Sequence, residues 1–373
     1  MPEGRRGEKT KMTLLHKIIS IGSTVRCYRI SNADGKSWLL PARNMRVALN
    51  LYQPSGRNGK LLKTLFPWLH RLPIVHKAIK AETICCTLQQ ELKELLQRIF
   101  NCADLEFAIF EGTPSVHQKM TIQLSCGNKI LGYCKASDNE EILQLFEKEA
   151  ATLTLLAQKG VTNIPQALHC GTLSNGVHIF VQSTAKTTKS QVVHTWGPQQ
   201  EQFLATLHEK TRQALPFEES DYCHAITALQ KHINWLPAPG RDVVTTAITD
   251  VMAEYSGKMV EFSACHADFT PWNMFVERSE LFVFDFEYTA LTYPPGIDRC
   301  HFELQTAIFE KRLSREDILE YITGRDVAGK RLLRLYLLDV ISRFTIRERG
   351  NVGSDIANCL DTWCYLLKNI KYQ

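Results

Sequence analysis

Between residues 266 and 273 the chain reads His-Ala-Asp-Phe-Thr-Pro-Trp-Asn, and Asp-Phe-Glu follows at 285–287. The residues between these two clusters predict a hairpin. Positions 274–276 form a short apolar strand, 277–280 a polar turn, and 281–284 a second apolar strand. Such a hairpin holds Asn273 and Asp285 side by side at its open end. One amide and one carboxylate oxygen suit Mg2+, which keeps several waters and does not require an all-protein cage. Asp268 adds a carboxylate able to orient and deprotonate an acceptor hydroxyl. Cations held near a transferring group neutralise the charge that develops on it, so the pattern predicts metal-dependent handling of phosphate.

The spacing H-x-D-x-x-x-x-N, with a later D-x-[DE], resembles the aminoglycoside phosphotransferase and choline kinase branch of the protein-kinase-like fold. Ala267 stands where regulated protein kinases carry arginine, and no Ala-Pro-Glu segment follows Asp285. That favours a small-molecule or glycan acceptor over a protein. The resemblance implies ATP and Mg2+ as cofactors, Asp268 as the catalytic carboxylate, Asn273 and Asp285 as metal ligands, and His266 as a support of the loop. Glu287 is placed behind the metal.

The resemblance to the kinase-like fold implies a lysine on a strand and a glutamate on the next helix. Lys135 ends an apolar stretch at 130–134, and 139–158 has helical spacing. Ile142, Leu145, Phe146, Leu153 and Leu156 define the inward stripe, which includes position 149 and excludes 147. Glu149 is therefore the expected partner of Lys135, since a buried carboxylate requires one. Upstream, strands at 105–111 and 120–124 flank a turn in which Gly112, Thr113 and Ser115 are candidate phosphate contacts. A strand at 176–181 runs into Gln182 and Ser183, where the resemblance places backbone contacts to adenine.

The expected fold is α+β: a two-lobed protein-kinase-like fold with a small β-rich N-lobe, a mainly helical C-lobe and an N-terminal extension. The boundaries are a basic extension or subdomain over 1–100, the N-lobe over 101–184, and the helical lobe with the catalytic loop over 185–373. Asp298 is expected to cap the helix after Pro294-Pro295, Ser314 to Asp317 reads as a capping box, and Arg343, Arg347 and Arg349 read as a solvated helix face.

From Gly35 to Ala81 there is no Asp or Glu, while nine Lys or Arg alternate with Leu, Phe, Trp and Tyr. This predicts either peripheral contact with an anionic membrane or a lipid-linked acceptor, or a subdomain packed on the N-lobe with solvated basic residues. A net charge of +5 and the lack of a nucleic-acid motif argue against nucleic acid as a partner. Twelve scattered cysteines without a C-x-x-C suggest reduced thiols, and no apolar stretch spans a bilayer, so the expected location is cytoplasmic, at most peripheral to the inner face of the membrane. The leading functional expectation is an ATP-dependent kinase acting on an alcohol group of a small molecule, sugar or glycan, with surface-polysaccharide chemistry suggested by general similarity to bacterial kinase-like proteins. The alternative is a non-catalytic nucleotide-binding pseudokinase or adaptor.

Overall fold

The computed structural model describes residues 13–32, 35–54, 57–112, 118–324 and 326–370. It divides into two compact units, Met1–Thr154 with Ile164–Ser190, and Leu155–Asn163 with Gln191–Gln373. The α+β class holds, with a β-rich N-terminal part and a helical C-terminal part.

The first unit is built on an eight-stranded antiparallel sheet: β1 Ile19–Ser31, β2 Ser37–Pro41, β3 Glu82–Leu88, β4 Glu106–Phe110, β5 Met120–Cys126, β6 Lys129–Ser137, β7 Ala167–Thr172 and β8 His178–Ser183. The strand order is β3-β1-β2-β4-β5-β6-β8-β7. Residues 19–88 thus supply three strands of the same sheet that carries Lys135. Successive side chains on a strand point to opposite faces, and β2 shows the result. Leu39 joins a core with Ile109, Ile122 and Val181, while Trp38 and Leu40 join another with Tyr28 and Phe66.

The first face is covered by the helix Gln90–Phe100, whose Leu92 and Leu96, one turn apart, are fully buried. Burial of each contributes about 1.5–3 kcal/mol. That helix stops where Asn101 turns left-handed, a common C-terminal device. The second face is covered by the helices Arg57–Leu69 and Pro73–Ala78 through Phe66, Leu62, Val75 and Ile79.

At the end of β4, Gly112 has φ +80°, and a Cβ there would lie 2.1 Å from the Lys119 carbonyl oxygen. Only glycine fits this turn. Thr113 and Ser115 lie outside the described residues.

The second unit is organised around the helix Val327–Arg347, whose residues from Leu333 to Ser342 are all buried. A helix buried on every side is an interior element, and the helices Asp221–Lys231, Ile297–Gln305 and Ser354–Asn369 pack against it. Tyr222, Tyr336 and Trp363 are among the largest side chains in this core. The predicted hairpin is Met274–Glu277 paired with Glu280–Val283, in register Met274↔Val283. Ser314 forms its capping box with Asp317. No helix among the described residues is long and apolar enough to cross a membrane.

Candidate active site

In the first unit, Lys135 on β6 places Nζ 2.6 Å from Glu149 Oε2. Glu149 is fully buried and Glu147 exposed. Two charges so far from water persist only when closely paired, and the Phe180 ring, 5.9 Å from Nζ, closes one side of the lysine. Gln182 and Ser183 end β8. Gln182 is buried, and the Ser183 N–H is already bonded to the Gln166 carbonyl at 3.0 Å.

In the second unit, the strand Met259–Cys265 delivers a tight loop. Ala267 has φ 67°, a conformation costing a non-glycine residue about 1–2 kcal/mol. Asp298 offsets that strain. Its carboxylate accepts the backbone N–H groups of His266 and Ala267 at 2.8 and 2.9 Å, and the Cys265 thiol at 3.2 Å. The sequence reading of Asp298 as a helix cap is corrected here: Gly296 occupies the cap position, and the side chain turns toward the loop.

The buried His266 ring donates from Nε2 to the Phe284 carbonyl at 3.0 Å and accepts the Asp268 N–H at Nδ1 at 3.2 Å. Burial, only partly opposed by the charges of Asp298, Asp268 and Asp285, holds its pKa below the ordinary histidine value. Both nitrogens are occupied, so this ring braces the loop.

Asp268 has 29% of its side chain exposed. One carboxylate oxygen accepts from His301 Nε2 at 3.1 Å, the other from Asn273 Nδ2 at 2.7 Å. Burial alone would raise this carboxyl, but the hydrogen bond and electrostatic pull of His301, with a contribution from His266, keep it below its usual value despite Asp285. The proton roles follow from the neighbours. Gln305 Nε2 donates to the Tyr336 hydroxyl at 3.3 Å, that hydroxyl donates to His301 Nδ1 at 3.2 Å, and Nε2 of His301 therefore carries the proton given to Asp268.

Asn273 also donates to the Asp268 carbonyl at 3.0 Å, so both bonds use its amide nitrogen and its amide oxygen could serve a cation. Asp285 adopts φ 74°, and its carboxylate and that of the buried Glu287 each offer an oxygen within 4.8 Å of the other. This all-oxygen donor set fits Mg2+ better than a soft metal.

Beside Asp268 opens a cavity of about 370 Å3, lined by Tyr288, His301, Gln305, Ser342, Arg343 and Arg347 among others. Arg343 departs from the solvated face expected of it. It bonds Asp339 at 3.0 Å and donates to the Ala267 carbonyl, tying the interior helix to the loop. His301 escaped the sequence reading. The available signal was its position three residues after Asp298, which puts both side chains on one helix face toward the same loop.

Residues 138–298 match the model of a phosphotransferase enzyme family. The resemblance to aminoglycoside phosphotransferases holds over that segment, which includes Glu149, Asp268, Asn273 and Asp285. Among solved structures, a thermostable mutant of aminoglycoside phosphotransferase APH(4)-Ia in complex with ADP and hygromycin B aligns at 14% identity, over 76% of this chain and 100% of that one, with a TM-score of 0.49. Wild-type aminoglycoside 2'-phosphotransferase-IIIa in its GDP complex aligns at 16% identity, over 75% and 99%, also at 0.49. LicA in complex with AMP aligns at 13% identity, over 76% and 100%, at 0.47. No curated protein matches the chain.

Proposed function

We propose that this chain is a phosphotransferase that moves the terminal phosphoryl group of ATP to a hydroxyl of a small molecule, sugar or glycan. The observation that carries the proposal is Asp268: a partly exposed carboxylate, held at both oxygens by His301 and Asn273, at the wall of a cavity of about 370 Å3. A positioned carboxylate within reach of an acceptor is what this reaction asks of the protein.

In the proposed mechanism, the acceptor hydroxyl enters the cavity and donates to Asp268. Its oxygen forms the new bond to phosphorus while the bond to the departing ADP breaks, the electron pair leaving with ADP, and Asp268 receives the hydroxyl proton. Lys135 holds the nucleotide phosphates and Glu149 fixes Lys135. Gly112 is assigned to the turn that would cover the phosphates, with Thr113 and Ser115 as the further phosphate contacts expected from the sequence, and the backbone near Gln182 and Ser183 would serve adenine. Asn273 and Asp285, backed by Glu287, would hold Mg2+, which neutralises phosphate charge when bound. His266 and Asp298 keep the loop in place. ATP supply puts this activity in the cytoplasm, and a lipid-linked acceptor would bring the enzyme to the inner face of the membrane. The lobe boundary proposed for this reading is the one drawn from the sequence at about residue 184, and residues 19–88 are counted with the N-lobe, whose sheet they share.

Thermal unfolding with ATP and Mg2+ tests the nucleotide site, because a ligand bound only by the native state raises its stability. We expect a magnesium-dependent rise that shrinks in Asp285→Asn. In Asp268→Asn the rise persists while transfer is lost. No rise at saturating nucleotide would favour an adaptor; normal turnover by Asp268→Asn would remove that residue from its role.

A further inference from the structure

On the helix Arg57–Leu69, Phe66 is fully buried against the sheet, whereas Leu61, Leu65 and Trp68 occupy the outward side at 59%, 42% and 79% exposure. Their spacing of four and three residues makes them one helical stripe. It continues into Leu72 and Ile74, exposed at 47% and 76% where the helix Pro73–Ala78 begins. Five large apolar side chains thus lie consecutively outside the core, although the same two helices are anchored to it by Phe66 and the partly buried Leu62, Val75 and Ile79. Isolated exposed apolar residues are ordinary, but five of them within fourteen residues across two successive helices mark a surface that meets something.

The charges around the row identify what that is. Lys60, Arg71, Lys77 and Lys80 are exposed beside it, and no acidic residue occurs from Gly35 to Ala81. The helix-turn-helix is held in shape from behind. His70 is buried with its ring at the Phe66 and Pro67 carbonyls, His76 bonds the His70 carbonyl, and Tyr28 packs edge-on against His76 at 4.4 Å. The turn therefore presents Trp68, Leu72 and Ile74 as a fixed ridge. An apolar ridge in a segment that carries basic residues and no acidic one is complementary to anionic headgroups over an acyl interior. A water-soluble partner that matched the ridge would need acidic groups around an apolar groove, whereas a bilayer offers both over any area.

We propose that the segment 57–80 is a docking surface for an anionic lipid bilayer, with Trp68 and Ile74 inserted at the headgroup boundary and Lys60, Arg71, Lys77 and Lys80 at the lipid charges. This proposal is independent of the phosphotransfer reading.

Co-sedimentation of the full chain with vesicles tests it, using neutral phosphatidylcholine alone and the same lipid with about one-third phosphatidylglycerol. We expect binding to the anionic vesicles at least about tenfold stronger than to the neutral ones, weakening as salt screens the surface. Trp68→Ser with Ile74→Ser should reduce it about tenfold or more, since both side chains are lost from the inserted row. These positions are mostly in solvent, so an unchanged circular dichroism spectrum and melting temperature will show that the variant is folded. Lys77→Gln with Lys80→Gln should weaken binding to anionic vesicles and leave any neutral binding unaltered. Absence of binding to anionic vesicles at low salt overturns the proposal, as does equal binding by the folded serine variant. Concentration-dependent dimerisation without vesicles, abolished by the serine changes, would assign the ridge to a second copy of the chain and likewise overturn it.

Discussion

Asp298→Ala removes the acceptor of two buried backbone N–H groups, at 2.8 and 2.9 Å, beneath the loop that carries Asp268. An orphaned buried donor costs about 1–3 kcal/mol, so the two together set a range of about 2–6 kcal/mol. The loop can recover part of this. Ala267 is held left-handed at φ 67°, and relaxing it returns about 1–2 kcal/mol. We therefore expect a net loss of about 3 kcal/mol, and about half as much for Asp298→Asn, whose amide oxygen can still accept one N–H. The assay is urea unfolding followed through the buried Trp363 of the same unit, where a shifted midpoint with an unchanged slope reports stability. Phosphoryl transfer should fall more than stability accounts for, because the loop that relaxes also positions Asp268. A change below about 0.5 kcal/mol, the range of an ordinary surface substitution, would show that the loop holds itself and would refute the reasoning.

Lys135→Met takes away the cation opposite the fully buried Glu149 and should cost about 3–5 kcal/mol; adding Glu149→Gln should restore most of it, and two losses that simply add would contradict the pairing. Asp268 is held below its usual pKa of 3.8, so its stabilising contribution is complete above that value and is lost as pH falls through the lower native value. In His301→Phe burial acts with much less opposition, so the acid limb of the pH–rate profile should move to higher pH; an unmoved limb would exclude His301 from positioning Asp268. Gly112→Ala should lower the melting temperature and weaken nucleotide binding, since its Cβ would meet the Lys119 carbonyl at 2.1 Å in a left-handed turn costing about 1–2 kcal/mol, whereas wild-type behaviour in both assays would deny the turn its conformation. Asp268 is the one carboxylate among the lining residues of its cavity, which also include Arg343 and Arg347, so acceptors bearing carboxylate or phosphate should outcompete polyamines and Arg347→Gln should raise their KM; preference for a polyamine in a competition assay would reverse that assignment.

The hairpin at 274–283 was legible because its two strands are adjacent in sequence and their register is set by a short turn. The phase of Glu149 was legible for a similar reason, since the apolar stripe of one helix contains it. The strands of the first hundred residues were not read. β1 finds its partners in β2 and in β3, with a register shift between Ile21 and Arg26 that interrupts simple alternation. Arg343 looked like one of three basic residues on a solvated face, and only tertiary packing brings it to Asp339 and to the Ala267 carbonyl. His301 belongs to a chain of hydrogen bonds through Tyr336 and Gln305 that crosses between two helices, and no local spacing encodes that crossing.

The continuity of β2 with β4, through Trp38↔Phe110 and Leu39↔Ile109, bears on how the chain can be divided. A fragment beginning after Phe100 would leave β4 as a bare edge, strip the helix carrying Leu92 and Leu96 from one face, and expose unpaired N–H and C=O groups beside the Gly112 turn. Such an edge recruits strands from other molecules. The bidentate clasp of Arg29 on Glu111, at 2.6 and 2.8 Å, would vanish with it. The early residues are thus a structural prerequisite for the turn and for the lysine strand that follows, and their acquisition, loss or proteolytic removal cannot be neutral to whatever those later residues do.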